Sequence, residues 1–162
     1  MTNLKLSSDN VLIVFDHDGT LVNTELREYH LFSGIKELLL FLKDQGFRLS
    51  VWTARSKEST RQSLTRLEII EFFDEIYGQD SGFPKPHPIG LAHLSLGFEK
   101  SQVLHIGDSL ADLDGAISFG IDVIAACWNN PNQVKNFKQK TDLIALTPKE
   151  CESLILKKFS KE

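Results

Sequence analysis

The segment Val11-Leu12-Ile13-Val14-Phe15 is an unbroken apolar run that stops abruptly on an acid, Asp16. A run with no polar alternation fits a strand covered on both faces, the usual condition of a parallel sheet flanked by helices. The rest of the chain repeats this logic, alternating strand-like with helix-like segments, so an α/β domain with a mainly parallel sheet is expected. Ile35, Leu38, Leu39 and Leu42 follow helical spacing, and Gly46 is placed to end that helix. Phe47 to Trp52 reads as a second strand, about Lys57 to Leu67 as a polar helix, and Ile76-Tyr77 as a short third strand. Gly78 to Pro88 holds three of the five prolines and is expected to be a stiff loop. The pattern then predicts a helix over Ile89 to Leu96, a strand over Val103 to Ile106, a helix over Leu110 to Phe119 closed by Gly120, and a strand over Val123 to Trp128. An edge strand within Asp142 to Leu146 and a last helix from Pro148 complete the series.

The 162 residues fit a single domain, with residues 1–9 as a loose N-terminal tail. Folding removes roughly two thirds of the surface of a chain this long from water, so no metal or disulfide staple is needed. Cys127 and Cys151 lack metal-ligand spacing and are expected to be reduced and at least half-buried. The opening residues contain no apolar leader core, and the longest apolar stretches, such as Leu38 to Leu42, are far too short to span a bilayer. A soluble cytoplasmic protein without membrane partners is expected. The net charge of −4 argues against broad binding to nucleic acid or anionic lipid.

Three of the expected strands end in polar clusters. Asp16-His17-Asp18-Gly19-Thr20 follows the first, Thr53 the second, and Gly107-Asp108-Ser109 with Asp112 the fourth. In parallel α/β sheets the carboxyl ends of the strands line the binding crevice, so these groups are expected to converge. The proline-rich loop can bring Lys85 to the same edge. Crowded acids repel one another unless a cation relieves them, and Mg²⁺ takes carboxylate, water and phosphate oxygens. A carboxylate can also attack phosphorus and split a hard hydrolysis into two steps, while Lys85 and the Thr53 hydroxyl complement phosphoryl charge.

Four segments in order resemble the four motifs of the haloacid dehalogenase superfamily of aspartate-nucleophile phosphatases. They are Phe15-Asp16-His17-Asp18-Gly19-Thr20-Leu21-Val22, Val51-Trp52-Thr53-Ala54, Lys85-Pro86-His87-Pro88 and Ile106-Gly107-Asp108-Ser109-Leu110-Ala111-Asp112. The resemblance spans about Val11 to Trp128 and implies a Rossmann-like three-layer α/β/α sandwich. It implies Asp16 as nucleophile and Mg²⁺ ligand, and Asp18 as general acid and then base, with its backbone carbonyl on the metal. It further implies that Thr53, helped by backbone N–H groups near Ala54, holds the phosphoryl oxygens while Lys85 neutralises them. Asp108 is implied as a Mg²⁺ ligand, and Asp112 as support for the metal shell or for Lys85. The acid at position 18 favours a phosphatase or phosphomutase over a dehalogenase or ATPase.

Only 36 residues separate Asp16 from Thr53, and 31 separate Thr53 from Lys85. Both gaps are already filled by the expected elements, so no cap domain is expected, and simple phosphomonoester hydrolysis gains weight. An open site admits a phosphorylated substrate of any size or takes its lid from a neighbouring subunit of a homo-oligomer. The flap, roughly Val22 to Phe32, is the remaining local source of substrate contacts. The rival readings are a phosphotransferase or nucleic-acid end phosphatase on the same core, and a non-catalytic phosphate-binding module. Taken singly, each motif has an ordinary explanation: Asp-x-Asp as a turn, Thr53 as a helix cap, Lys85 as a solvated cation, Asp112 as a first-turn helix acid and His105 as a core histidine.

Overall fold

The computed structural model describes residues 10–82 and 84–160; the tail expected over 1–9 lies outside the described residues. In chain order the strands are β1 (Leu12–Phe15), β2 (Val22–Asn23), β3 (His30–Leu31), β4 (Arg48–Trp52), β5 (Glu75–Tyr77), β6 (Val103–Gly107), β7 (Asp122–Ala126) and β8 (Ile144–Ala145). The helices are α1 (Ile35–Asp44), α2 (Lys57–Arg66), α3 (Ile89–Leu94), α4 (Leu110–Phe119), α5 (Val134–Phe137) and α6 (Pro148–Phe159). Six strands form one sheet in the order β5-β4-β1-β6-β7-β8, and every pairing in it is parallel. β2 and β3 form a separate antiparallel hairpin.

The apolar run of β1 is buried on both faces. Ile13 and Phe15 join the core that includes Leu38, Leu39 and Leu42 of α1, Leu64 of α2 and Cys151 and Ile155 of α6. Leu12 and Val14 face the opposite way, into the core shared with Leu91 of α3, Leu113 and Ala116 of α4 and Phe137 of α5. The result is a three-layer α/β/α sandwich. Burying each of the large aliphatic side chains contributes roughly 1.5–3 kcal/mol, which is what holds the helices against the sheet. Cys127 and Cys151 are both buried free thiols, and burial pushes each thiol pKa up.

Helix ends follow local chemistry. Ser56 caps α2 by accepting from the Ser59 N–H at 3.2 Å, and Thr147 caps α6 by accepting from the Glu150 N–H at 3.0 Å. Gly120, at φ 93°, ends α4 where a side chain would be strained. α3 stops at Leu94, two residues short of expectation, although Ser95 N–H still bonds the Leu91 carbonyl at 3.0 Å. β7 stops at Ala126, because the chain turns there and Trp128 donates its indole N–H to the Thr20 carbonyl at 2.9 Å.

The chain leaves β1 for β4 and β5 on one side, then crosses back to β6 on the other. The order reverses at the boundary between β1 and β6, where a parallel sheet opens a crevice at its carboxyl edge. Phe15 is in register with both Val51 and Ile106, so the residues that follow in β1, β4 and β6 emerge side by side at that crevice. Among the described residues, the stretches from Asp16 to Thr53 and from Thr53 to Lys85 hold only the hairpin, α1, β4, α2, β5 and short turns, with no inserted cap domain.

Candidate active site

Four groups from three parts of the chain meet at the crevice. Ligand oxygens of Asp16, Asp108 and Asp112 all lie within 4.8 Å of one another. Lys85 reaches them from the proline-rich loop, donating to Asp16 Oδ1 at 2.9 Å and to Asp112 Oδ1. Its ammonium also sits 5.1 Å from the ring centroid of Trp52, which is wholly buried between α3 and α4. A Cβ on Gly90 or Gly115 would come within 2.4 and 2.7 Å of the Trp52 ring, so these two positions have no room for a side chain.

The acids are held firmly. Asp112 and Ser109 cap each other at the start of α4: Ser109 Oγ accepts from the Asp112 N–H at 3.2 Å and donates to Asp112 Oδ2 at 2.8 Å. The other Asp112 oxygen faces Lys85 and His105 Nε2, the latter at 2.8 Å, while His105 Nδ1 meets the Val14 carbonyl at 2.8 Å. Asp108 accepts from Thr20 Oγ1 at 3.1 Å. Gly19 and Gly107 make this closeness possible, since a Cβ on either would lie 2.0 Å from Asp108 Oδ2 or 2.2 Å from Asp112 Cγ.

Burial pushes the Asp16 carboxyl well above the usual range, and the charges of Asp112 and Asp108 push the same way against Lys85. Burial likewise raises Asp108, with Asp112 adding to the effect. Burial opposes ionisation of Asp112 too, but Lys85 and His105 outweigh it and hold its carboxyl well below the usual range. Burial opposes the charge on Lys85, and Asp112 and Asp16 more than offset it, so its pKa lies above the ordinary 10.5. Three carboxylates share one ammonium, which leaves unbalanced negative charge in a pocket that water solvates poorly. An all-oxygen, carboxylate-rich donor set with excess negative charge matches what a small divalent cation such as Mg²⁺ requires.

Asp18 stands apart from this trio. Its carboxylate accepts from Arg55 Nη1 at 2.8 Å, and the His17 ring lies 3.6 Å away. Burial alone would raise its pKa, but His17, Thr24 and Arg55 lower it to about 2. Thr53 is buried just beyond β4, and its hydroxyl accepts from the Arg55 N–H at 3.1 Å; Ala54 is exposed beside it. The sequence-derived set therefore divides into a cluster of Asp16, Lys85, Asp108 and Asp112, and a neighbouring pair of edges carrying Asp18 and Thr53-Ala54.

Residues 25–126 match the family model of haloacid dehalogenase-like hydrolases. The chain belongs to that family. The match covers the second, third and fourth motif segments, while Asp16 and Asp18 precede it in the chain. This haloacid dehalogenase-like hydrolase is 35% identical over 110 residues to a phosphoglycolate phosphatase of Nitrosococcus oceani, an alignment covering 65% of this chain and 48% of the relative. It is 30% identical over 93 residues to the pyrophosphatase PpaX of Halalkalibacterium halodurans, covering 56% of this chain and 43% of the relative. The chain thus aligns with somewhat less than half of the length of these curated relatives. The crystal structure of a predicted phosphoglycolate phosphatase from Haemophilus somnus 129pt superposes with a TM-score of 0.80 at 23% identity, covering 90% of this chain and 98% of that one. That likeness shows the shared fold. No helix among the described residues is long and apolar enough to cross a membrane.

Three site neighbours of this family member escape a sequence reading. Arg55 follows Thr53-Ala54 directly, yet its bond to Asp18 joins residues 37 apart in sequence. Its guanidinium also stacks 5.3 Å from the Tyr29 ring in the flap, which links flap and crevice. His105 is a core histidine as its apolar strand neighbours imply, and it also orients Asp112. His17, which the motif pattern treats as a spacer, is fully buried with Nε2 2.8 Å from Ser63 Oγ.

Proposed function

We propose that this protein is a Mg²⁺-dependent phosphatase that hydrolyses phosphomonoesters through an aspartyl-phosphate on Asp16, within a single hydrolase domain. The observation that carries the reading is the mutual approach of Asp16, Asp108 and Asp112 around the Lys85 ammonium. Asp16, the backbone carbonyl of Asp18 and Asp108 are the groups that would hold Mg²⁺, with Asp112 supporting them. A bound divalent cation supplies charge neutralisation, so that an anionic nucleophile and an anionic ester tolerate each other.

The side chains then divide the work. An Asp16 carboxylate oxygen bonds to phosphorus as the ester P–O bond breaks, and the departing alkoxide takes a proton from Asp18, which has received it from the bound ester monoanion. Asp18, now ionised, removes a proton from water; the water oxygen bonds to phosphorus, and the Asp16–phosphorus bond breaks to release inorganic phosphate. The Thr53 hydroxyl and N–H groups near Ala54 bind the equatorial phosphoryl oxygens, and Lys85 neutralises charge that builds on them. Lys85 also fixes Asp16 through the 2.9 Å hydrogen bond to Oδ1. Arg55 and His17 hold the Asp18 carboxylate in place.

The names of the relatives, a phosphoglycolate phosphatase and a pyrophosphatase, support a small phosphorylated substrate. With no inserted cap among the described residues, the flap or a second copy of the chain would close the site. Buried free thiols at Cys127 and Cys151 support a cytoplasmic setting.

Phosphate release from p-nitrophenyl phosphate tests the reading. It is expected with Mg²⁺, absent with chelator, and abolished in Asp16→Asn. Wild-type protein inert toward a broad panel of phosphomonoesters with Mg²⁺ would overturn the enzyme reading in favour of a binding module. Activity confined to nucleic-acid ends would overturn the small-substrate reading.

A further inference from the structure

Beside the crevice lies an open pocket of about 300 Å³, lined by Tyr29 from the flap, by Arg55, by Leu67, and by Ser59, Gln62, Ser63 and Arg66 of α2. The four α2 residues fall at helical spacing on one face, so the helix offers a continuous polar wall. Two arginines and no acid line the pocket, in a chain whose net charge is −4. We propose that this pocket binds a second anionic group, a carboxylate or phosphate, carried by the leaving alcohol of the substrate. The proposal rests on the phosphatase reading and deepens it by naming the substrate class.

Three observations connect the pocket to the reacting bond. Asp18, the proposed proton donor to the leaving oxygen, is held by Arg55 Nη1 at 2.8 Å, and Arg55 is also a wall of the pocket. The leaving group therefore departs next to the pocket mouth. Ser63 forms part of the pocket wall and meets His17 Nε2 at 2.8 Å, so that wall is anchored to the residue beside Asp18. Arg55 is braced as a pocket wall: Nη2 reaches Ser59 Oγ at 3.0 Å and Tyr29 Oη at 3.4 Å, while its buried Nε has no hydrogen-bond partner. Arg66 is exposed, and no ion pair among the described residues claims it. An arriving anion would take donors from both guanidinium groups, with the Ser59 hydroxyl and the Gln62 amide completing its shell.

The test compares propyl phosphate, carboxypropyl phosphate and a propanediol bisphosphate as substrates with Mg²⁺. The charged esters are expected to show kcat/KM at least about 10-fold above propyl phosphate, the scale of one charge-assisted hydrogen bond. Arg66→Gln is expected to reduce that ratio to about threefold or less, and Arg66→Lys to restore part of it. The larger of the two charged-ester ratios identifies carboxylate or phosphate as the preferred group. Equal kcat/KM for all three esters would overturn the pocket assignment while leaving the phosphatase reading standing. If none of the esters is hydrolysed, the broad phosphomonoester panel decides the phosphatase reading, and calorimetric titration of Asp16→Asn with the same esters decides the pocket. Charged esters binding about 10-fold tighter than propyl phosphate supports it, and equal affinity overturns it.

Discussion

Replacing Lys85 by methionine keeps the length of the side chain and removes its charge, which isolates what the ammonium does for the three acids. The Lys85 side chain is 4% exposed, that of Asp16 10% and that of Asp112 0%, so the carboxylates left behind cannot turn to water. Removing one partner of a buried ion pair costs about 3–5 kcal/mol, because the remaining charge stays desolvated. Methionine recovers the apolar contact with Trp52 but none of that charge, so about 3 kcal/mol is the expected loss at pH 8. A variant carboxyl can escape by taking up a proton. Asp16 is the one to do so, since burial and its acidic neighbours already raise its pKa. A carboxyl whose folded-state pKa lies above its unfolded value binds more protons when folded, so stability rises as pH falls through the folded-state value. The difference between Lys85→Met and wild type should therefore shrink between pH 8 and pH 5, by up to about 1.4 kcal/mol per pH unit for one proton. Urea unfolding in chelator measures this: with a slope of about 2 kcal/mol per molar, 3 kcal/mol moves the midpoint by roughly 1.5 M. Coincident midpoints at pH 8, or a loss that does not depend on pH, would refute the electrostatic account of the cluster.

The remaining predictions concern the backbone and the proton. Gly107→Ala drives a methyl to 2.2 Å from Asp112 Cγ, so it should destabilise by about 1–3 kcal/mol and lower phosphatase activity together, as checked by thermal melting and p-nitrophenyl phosphate turnover. Asp18 rests ionised, its pKa lowered to about 2, so the proton needed by an alkoxide enters with the ester monoanion, whose second pKa is about 6. For an alkyl phosphate kcat/KM should then fall about tenfold per pH unit above that value, and a flat profile to pH 9 would exclude delivery through Asp18.

What the sequence reveals and what it hides follows from how far each feature depends on distant partners. The apolar run ending at Asp16 shows a doubly buried strand, because both faces of a central parallel strand must be apolar wherever the covering helices come from. Once β1, β4 and β6 are parallel and in register, polar residues at their carboxyl ends must gather, so the meeting of Asp16 with Asp108 needs no further information. α4 is equally legible, since Ser109 and Asp112 cap it and Gly120 stops it, all by contacts within the segment itself. The hairpin of β2 and β3 has two residues per strand, and α5 has a single turn with one buried residue, Phe137. Neither is long enough to show a period.

The charge states of the site are hidden for the opposite reason. Asp16 and Asp112 are both aspartates in polar clusters, yet their pKa values move in opposite directions. Both are buried, so burial cannot separate them; Lys85 and then His105 favour the Asp112 carboxylate, whereas Asp16 feels Lys85 against the charges of Asp112 and Asp108. That imidazole reads as ordinary core filling, because its neighbours Leu104 and Ile106 are apolar and its acidic partner sits across the turn into α4. Arg55 is hidden in the same way, since nothing local to Thr53-Ala54-Arg55 indicates that a flap tyrosine and Asp18 await the guanidinium. The motifs thus identify which acids meet, whereas Lys85 and His105 set the direction in which Asp112 is shifted, and His17, Thr24 and Arg55 do the same for Asp18. His105 orients Asp112 from inside the core, although it lies outside all four motif segments.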